Sequence, residues 1–271
     1  DSFARTDLVD PGQGRPYELY IDGAAGSVMP PAGDLNLLRT DVGFFPFATA
    51  RPTQVLVVGP GGGLDVWFAL NGQAETITAV EINPATIEVM TGDLAAYSRH
   101  AYRGLDLTQI DVRTFLMGTQ GRFDLITMLN LHNYYIGHDP IPESPFTVEA
   151  IASYFDHLTD RGVIDIEEMI HKGKTRAAVQ KELANFARVL VEQGLTKDPG
   201  RHFYAYRWRR SHYPEGWWFY QFLVKKTPLT PDDIARMDAW VARFNTEKMT
   251  AEAVYPARSD KHSLVAEAMD Y

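Results

Sequence analysis

Residues Val55–Val66 read VLVVGPGGGLDV. Apolar residues without polar alternation describe a strand covered on both faces. The run ends directly in Gly59, Gly61, Gly62 and Gly63. Glycine tolerates positive φ and lets a backbone or a ligand approach closely. The stretch that follows, LDVWFALNG, has helical spacing and stops at Gly72. A strand, a glycine-rich turn and a helix open the parallel α/β sheets that bind ligands beyond the carboxyl ends of their strands.

The same rhythm continues downstream. TITAVEIN is a second buried strand, and PATIEVMTGDLAAYSRH is a helix with Pro84 in the favoured first position. LDLTQID and FDLITMLN are the third and fourth strands, with VRTFLMG a short helix between them. TVEAIASYFDHLTDRG reads as a helix ending at Gly162, GVIDIEEM as a fifth strand, and KTRAAVQKELANFARVLVEQG as a helix ended by Gly194. This alternation predicts βαβ units in a doubly wound, mostly parallel sheet.

The two ends break the pattern. RHFYAYRWRRSHYPEGWWFYQFLVKK reads as an aromatic antiparallel hairpin at the end of the sheet, its rings packing the sheet face. Arg207, Arg209 and Arg210 within it are expected to form local ion pairs. TPDDIARMDAWVARFN is a helix capped by Thr230 with Pro231 first. Upstream, RPYELYIDGAAGSVM is a hairpin turning at Asp22-Gly23, and LNLLRTDVGFFPFAT is a linking helix beneath the sheet. Three regions follow: 1–45 with the hairpin and linking helix, 46–226 with the Rossmann-like domain, and 227–271 as a C-terminal helical extension.

Composition narrows the chemistry. A net charge of −9 over 271 residues disfavours nucleic acid as a partner. The absence of cysteine removes disulfides, thiolate metal sites and cysteine nucleophiles. No stretch approaches the roughly 18 apolar residues of a membrane span. The chain opens at Asp1 rather than Met, so membrane-spanning segments outside this chain stay open. The expected location is the cytoplasm or the cytoplasmic face of a membrane protein.

Two ligand classes compete for the glycine turn. The dinucleotide fingerprint needs a third glycine where Leu64 stands. The spacing present, Gly59-x-Gly61-x-Gly63, resembles the first motif of class I S-adenosylmethionine-dependent enzymes. The second strand ends at Glu81, placed to accept bonds from ribose hydroxyls. The third ends at Asp111, suited to an adenine amino group, with the Val112 backbone suited to a ring nitrogen. Asp65, Ile82 and Asn130 complete the expected cosubstrate contacts.

In order, VLVVGPGGG, TITAVEINP, IDVRTFL, FDLITM and SPFTVEAIASYFDHLTDRGVIDI resemble the spermidine synthase family of aminopropyltransferases, over about Tyr17 to Val224. YELYIDG is similar to that family's N-terminal hairpin and WWFYQFLVKKTPLTPDDI to its closing strand. The resemblance points to divergent bacterial members, some of which carry this domain beside membrane spans. It implies a class I methyltransferase fold with a seven-stranded sheet and a small N-terminal β region. It also implies a nucleoside thioether cosubstrate, S-adenosylmethionine or its decarboxylated form; a small-molecule acceptor and no metal are expected, and the aromatic hairpin is left as an alternative acceptor wall or homodimer surface. By position, Gly59, Gly61 and Gly63 line the cosubstrate, Glu81 holds ribose, and Asp111 with Val112 holds adenine.

Departures from the family are as informative. Its glycine motif carries an Asp where Gly62 stands, and its fourth strand ends in an acidic motif where Leu129 and His132 stand. Gly26 replaces a hairpin glutamine. An amine nucleophile must lose a proton to a nearby base, and Leu129 is none. Methyl transfer depends mainly on alignment and tolerates that loss better.

Acid–base work would fall to the segment after the fourth strand. His132, Tyr134 and Asp139 are the catalytic candidates, with Tyr135 and His138 beside them. His132 and His138 lack a third metal ligand at fixed spacing. Glu167 or Glu168 is a candidate for a cationic acceptor, against the plainer reading of a solvated strand-end charge. The expected function is a transfer of a methyl or other group from S-adenosylmethionine. Aminopropyl transfer and a non-catalytic nucleoside-binding domain of a larger membrane protein are the alternatives.

Overall fold

The computed structural model describes residues 5–12, 15–21, 25–30, 34–129, 131, 144–171, 176–256 and 264–269. Three short strands, β1 (Thr6–Val9), β2 (Glu18–Ile21) and β3 (Ala25–Val28), form a separate antiparallel sheet in that order. The expected hairpin is therefore present, with β1 added along its edge. Two 3-10 turns, Leu35–Thr40 and Val42–Phe44, lead into helix α1 (Phe45–Ala50). The linking segment is mostly 3-10 rather than one helix because Asp34 and Asp41 each cap a new turn, accepting from Asn36 N and Gly43 N.

The main sheet begins with β4 (Gln54–Val58), followed by α2 (Leu64–Asn71), β5 (Thr76–Glu81), α3 (Pro84–Thr91), β6 (Asp106–Gln109), α4 (Val112–Gly118) and β7 (Phe123–Leu129). Then come α5 (Val148–His157), β8 (Leu158–His171), α6 (Arg176–Glu192), β9 (Phe203–Arg210), β10 (Trp217–Lys225), α7 (Pro231–Ala242), β11 (Met249–Tyr255) and α8 (Leu264–Met269). The strand order is β11-β9-β10-β8-β7-β4-β5-β6. Strands β4 to β8 are parallel neighbours, and β9, β10 and β11 close the sheet antiparallel. The sheet is doubly wound: α1, α2 and α7 pack one face, and α4, α5, α6 and α8 the other.

Three boundaries differ from expectation. The sheet has eight strands rather than seven, because β11 adds to β9 inside the region expected to be helical. The helix after Thr147 stops at His157, and β8 starts before Gly162 because Leu158 already pairs with Phe123 of β7. The segment 84–100 is helical only to Thr91, where Gly92 N bonds Glu88 O and the chain turns. The Thr230 cap and its Pro231 are as expected, closed into a capping box by Asp233.

Asp124 joins three strand starts. Its carboxylate accepts from Thr53 N, Thr53 Oγ1 and Gln54 N before β4, and from Thr159 Oγ1 of β8. Partial burial pulls its pKa up, but these bonds outweigh it and hold it below the usual range. Asp124→Ala is expected to cost about 1–3 kcal/mol in urea unfolding, the usual loss when a multiply bonded acceptor is removed.

Candidate functional site

The glycine turn lies between β4 and α2, at the carboxyl end of the sheet. Gly59, Gly61 and Gly63 have φ of 65°, 46° and 86°, a region costly for other residues. Gly63 is also the N-cap of α2, so the turn and the helix start are one unit. Gly59 N bonds Val80 O at 2.8 Å, which holds the turn against β5.

Much of the close approach at this turn is made by the protein itself. Gly62 N donates to Ser27 Oγ of β3 at 2.8 Å. A Cβ on Gly62 would lie 2.7 Å from Val28 O and 3.0 Å from Met29 N. A Cβ on Gly61 would meet Ser27 Oγ at 2.4 Å, and one on Gly59 would meet Leu131 at 2.7 Å. Tyr102 Oη donates to Gly61 O at 2.7 Å. The small sheet is seated on the turn, and the place of the family's aspartate is filled by β3 backbone. Sequence reading missed Ser27; its only signal was a small hydroxyl residue in a hairpin strand.

Glu81 ends β5 and is buried. Its Oε1 accepts from Asn83 N at 2.9 Å and its Oε2 from Gly61 N at 3.4 Å, and the Ile82 amide also points at it. Burial raises its pKa, and these three amides oppose the rise. A carboxylate offers about four acceptor positions, so about one is left for a further donor. Asn83 then caps α3 through Ala85 N.

Asp111 caps α4, with Oδ1 accepting from Arg113 N at 3.0 Å and Thr114 N at 3.3 Å. Val112, the first residue of α4, is buried. Ile110 N bonds Glu81 O at 3.1 Å, so the ends of β5 and β6 lie side by side. The structure thus brings the glycine turn, Glu81, Ile82, Asp111 and Val112 to one edge. Asn130, His132, Tyr134, Tyr135, His138 and Asp139 lie outside the described residues.

Beside this edge lies a polar network that the sequence reading did not assemble. On the face covered by α1, α2 and α7, Thr127 (β7), Asp165 and Glu167 (β8), Gln221 (β10) and Tyr206 and Trp208 (β9) project together. Gln221 Nε2 donates to both Asp165 oxygens at 2.9 Å, and Thr127 Oγ1 to Asp165 Oδ2 at 3.4 Å. Tyr206 Oη lies against the Gln221 carbonyl and Val42 O. Trp208 Nε1 donates to Glu167 Oε2 at 3.1 Å. Glu167 and Glu168 are both buried, and β8 runs on past them to His171, which corrects the solvated strand-end reading. The signal was Asp165, a charge between the apolar residues Val163-Ile164 and Ile166 of β8. The three hairpin arginines are partnered locally: Arg207 with Glu252, Arg210 with Asp41 at 3.8 Å, and Arg209 over the Trp218 ring.

Burial pushes the Asp165 carboxyl up to about 8, against the bonds from Gln221 and Thr127 and with the help of Glu167. A raised folded-state pKa means that the native state keeps the proton longer, so stability is full below about 4 and is lost as pH rises towards 8. Asp41, Asp65 and Glu81 are raised too and act in the same sense. Asp124 and Asp233 are lowered, so their contributions are already complete above about 4. Burial lowers His202, whose opposite effect ends near 6.5. Between pH 6.5 and 8 the unfolding free energy is therefore expected to fall, by up to about 1.4 kcal/mol per pH unit for one carboxyl. Urea unfolding across that window checks this, and Asp165→Asn should flatten the slope.

Among the described residues, no group of three His, Asp or Glu side chains is arranged to hold a metal ion, and no helix is long and apolar enough to cross a membrane. No family model matches the chain, and no curated protein matches it. Solved structures do. A spermidine synthase in complex with the transition state analogue AdoDATO is similar at 19% identity and a TM-score of 0.61, over 92% of this chain and 77% of that one. Spermidine synthase from Thermotoga maritima is similar at 18% identity and a TM-score of 0.60, over the same shares of the two chains. The chain has the fold of the spermidine synthases, as the resemblance in its sequence implies.

Proposed function

We propose that this chain binds an S-adenosyl nucleoside at the carboxyl edge of β4, β5 and β6 and transfers a group from its sulfonium to a small-molecule acceptor. The observation that carries this reading is Glu81. It is a buried carboxylate on the tip of the second parallel strand, tied to the Gly61 amide and left with accepting capacity at the strand edge. Asp111 and the Val112 backbone would meet adenine, and Gly59, Gly61 and Gly63 with Asp65 and Asn130 would border the thioether end. His132, Tyr134 and Asp139 follow β7 directly and are the candidate acid–base groups.

Methyl transfer is favoured by Gly62. The family's aspartate has no room there, because β3 backbone fills the space. Aminopropyl transfer from decarboxylated S-adenosylmethionine is the second reading, favoured by the fold. The test is incubation with methyl-labelled S-adenosylmethionine and, separately, aminopropyl-labelled decarboxylated cosubstrate, each with a pool of small acceptors. A methylated product supports the first reading and an aminopropylated one the second. Binding without either product assigns a nucleoside-binding domain that does no chemistry.

A further inference from the structure

A groove of about 860 Å³ runs between α7 and β11, a volume in the range that holds ligands. Helix α7 lines it with Ile234, Asp238, Val241 and Ala242, and β11 with Ala251 and Ala253. β11 is an edge strand, with four strands between it and β4. The groove is therefore separate from the glycine turn and Glu81. The backbone along it is open. Ala251 N bonds the Asn245 side chain at 3.1 Å, so this residue turns its amide away from β9. Alternation along the strand turns Ala253 the same way. The Ala251 carbonyl and the Ala253 amide and carbonyl face outward, and among the described residues no strand lies beyond them. Such an edge is a template for a further strand. Asn245 covers one end of it and the bulge after Ala253 ends the other, so the template is short.

Space and charge say what fits. Ala251 and Ala253 project toward α7, and their methyl groups leave the gap beneath the helix unfilled. A strand added to β11 would send alternate side chains into that gap. A helix beside an open edge strand is a way to take up extended peptides. The spacings agree: four helical residues rise about 6 Å and two strand residues about 6.6 Å. Side chains two apart on the added strand would meet Ile234, Asp238 and Ala242 in turn. Asp238 and Glu252 are the charged residues lining the groove, and Glu252 is paired with Arg207. Asp238 is exposed, and its Oδ1 accepts from the hydroxyl of the fully buried Tyr204 at 2.8 Å. That bond holds the carboxylate at the groove wall. Among the described residues its Oδ2 has no partner, so it is available to a charged donor.

We propose that the groove between α7 and β11 docks an extended basic segment of a partner protein. The segment adds as a short strand to β11, sets a Lys or Arg on Asp238, and places apolar side chains two positions to either side of it, against Ile234 and Ala242. The site goes beyond the transferase reading and does not depend on it.

The test is amide NMR titration of the full chain with the acetylated, amidated peptide Thr-Ile-Thr-Lys-Thr-Ile-Thr. A second peptide carries Glu in place of Lys. A third carries Pro in place of the two Thr that flank Lys, which keeps the groove-facing side chains and removes ladder donors. The first peptide is expected to move the Asn245, Ala251 and Ala253 signals saturably. The Glu peptide should bind at least threefold more weakly, and the Pro peptide should leave these signals in place. Asp238→Asn can still accept from Tyr204 and should keep the native melting temperature, while losing the preference for Lys over Glu. Ala242→Trp, at an exposed helix position, should fill the groove and abolish binding. No movement of these signals at millimolar peptide overturns the proposal. Equal binding of the Lys and Glu peptides, or of the Lys and Pro peptides, overturns it too. A native dimer that Ala242→Trp splits would give the groove to a second copy of this chain, and would overturn it as well.

Discussion

Glu81→Ala is expected to lose nucleoside binding by tenfold to a hundredfold and to destabilise the fold by at least about 2 kcal/mol. The first figure is that of one charge-assisted bond, about 1.5–3 kcal/mol. The second arises because the Gly61, Ile82 and Asn83 amides all lose their acceptor in a buried setting, where each orphaned group costs about 1–3 kcal/mol. Glu81→Gln separates the two effects. It keeps an acceptor for part of the amide set, so it should retain most of the stability while still weakening the nucleoside. Urea unfolding and calorimetry on both variants measure this. Normal nucleoside affinity in Glu81→Gln and Glu81→Ala together would remove Glu81 from the site.

Gly62→Asp, which supplies the residue found in the family's glycine motif, should impair the protein rather than restore an aminopropyltransferase. The new Cβ meets Val28 O at 2.7 Å, Val28 C at 2.8 Å and Met29 N at 3.0 Å, all backbone atoms that cannot rotate away. Overpacking of this kind costs about 1–3 kcal/mol. The bond from Gly62 N to Ser27 Oγ is strained as well. The expected result is a lower denaturation midpoint and faster proteolysis within residues 5–30, as the small sheet lifts off the turn. A native-like midpoint together with gained aminopropyl transfer would show that β3 yields readily.

The parallel core was legible because its signals are local. Val55–Val58, Thr76–Glu81 and Phe123–Leu129 are short, mostly apolar runs, the first closed by Gly59 and the second by the start of α3. The placement of the glycine turn, Glu81 and Asp111 side by side was legible too, since each follows or ends a strand of the parallel core. What escaped depended on distant partners. Leu158 belongs to a strand only because Phe123 is there to pair with it, and nothing near Leu158 announces this. Met249–Tyr255 contains Glu and Ala, poor strand formers, and becomes β11 by adding to the free edge of β9. The Thr127–Asp165–Gln221–Tyr206 network draws on four strands, and its members are unremarkable until the sheet sets them side by side. Ser27 and Gly62 are 35 positions apart, so the turn's tightness looked like room for a ligand when part of it is room for β3.

We propose above all that the edge formed by the glycine turn, Glu81 and Asp111 holds an S-adenosyl nucleoside. Parallel calorimetric titration of the chain with S-adenosylmethionine, decarboxylated S-adenosylmethionine and NAD tests it most directly. Saturable binding of at least one S-adenosyl compound, lost in Glu81→Ala, and none of NAD is the expected result. Binding of NAD alone, or of none of the three, would contradict it.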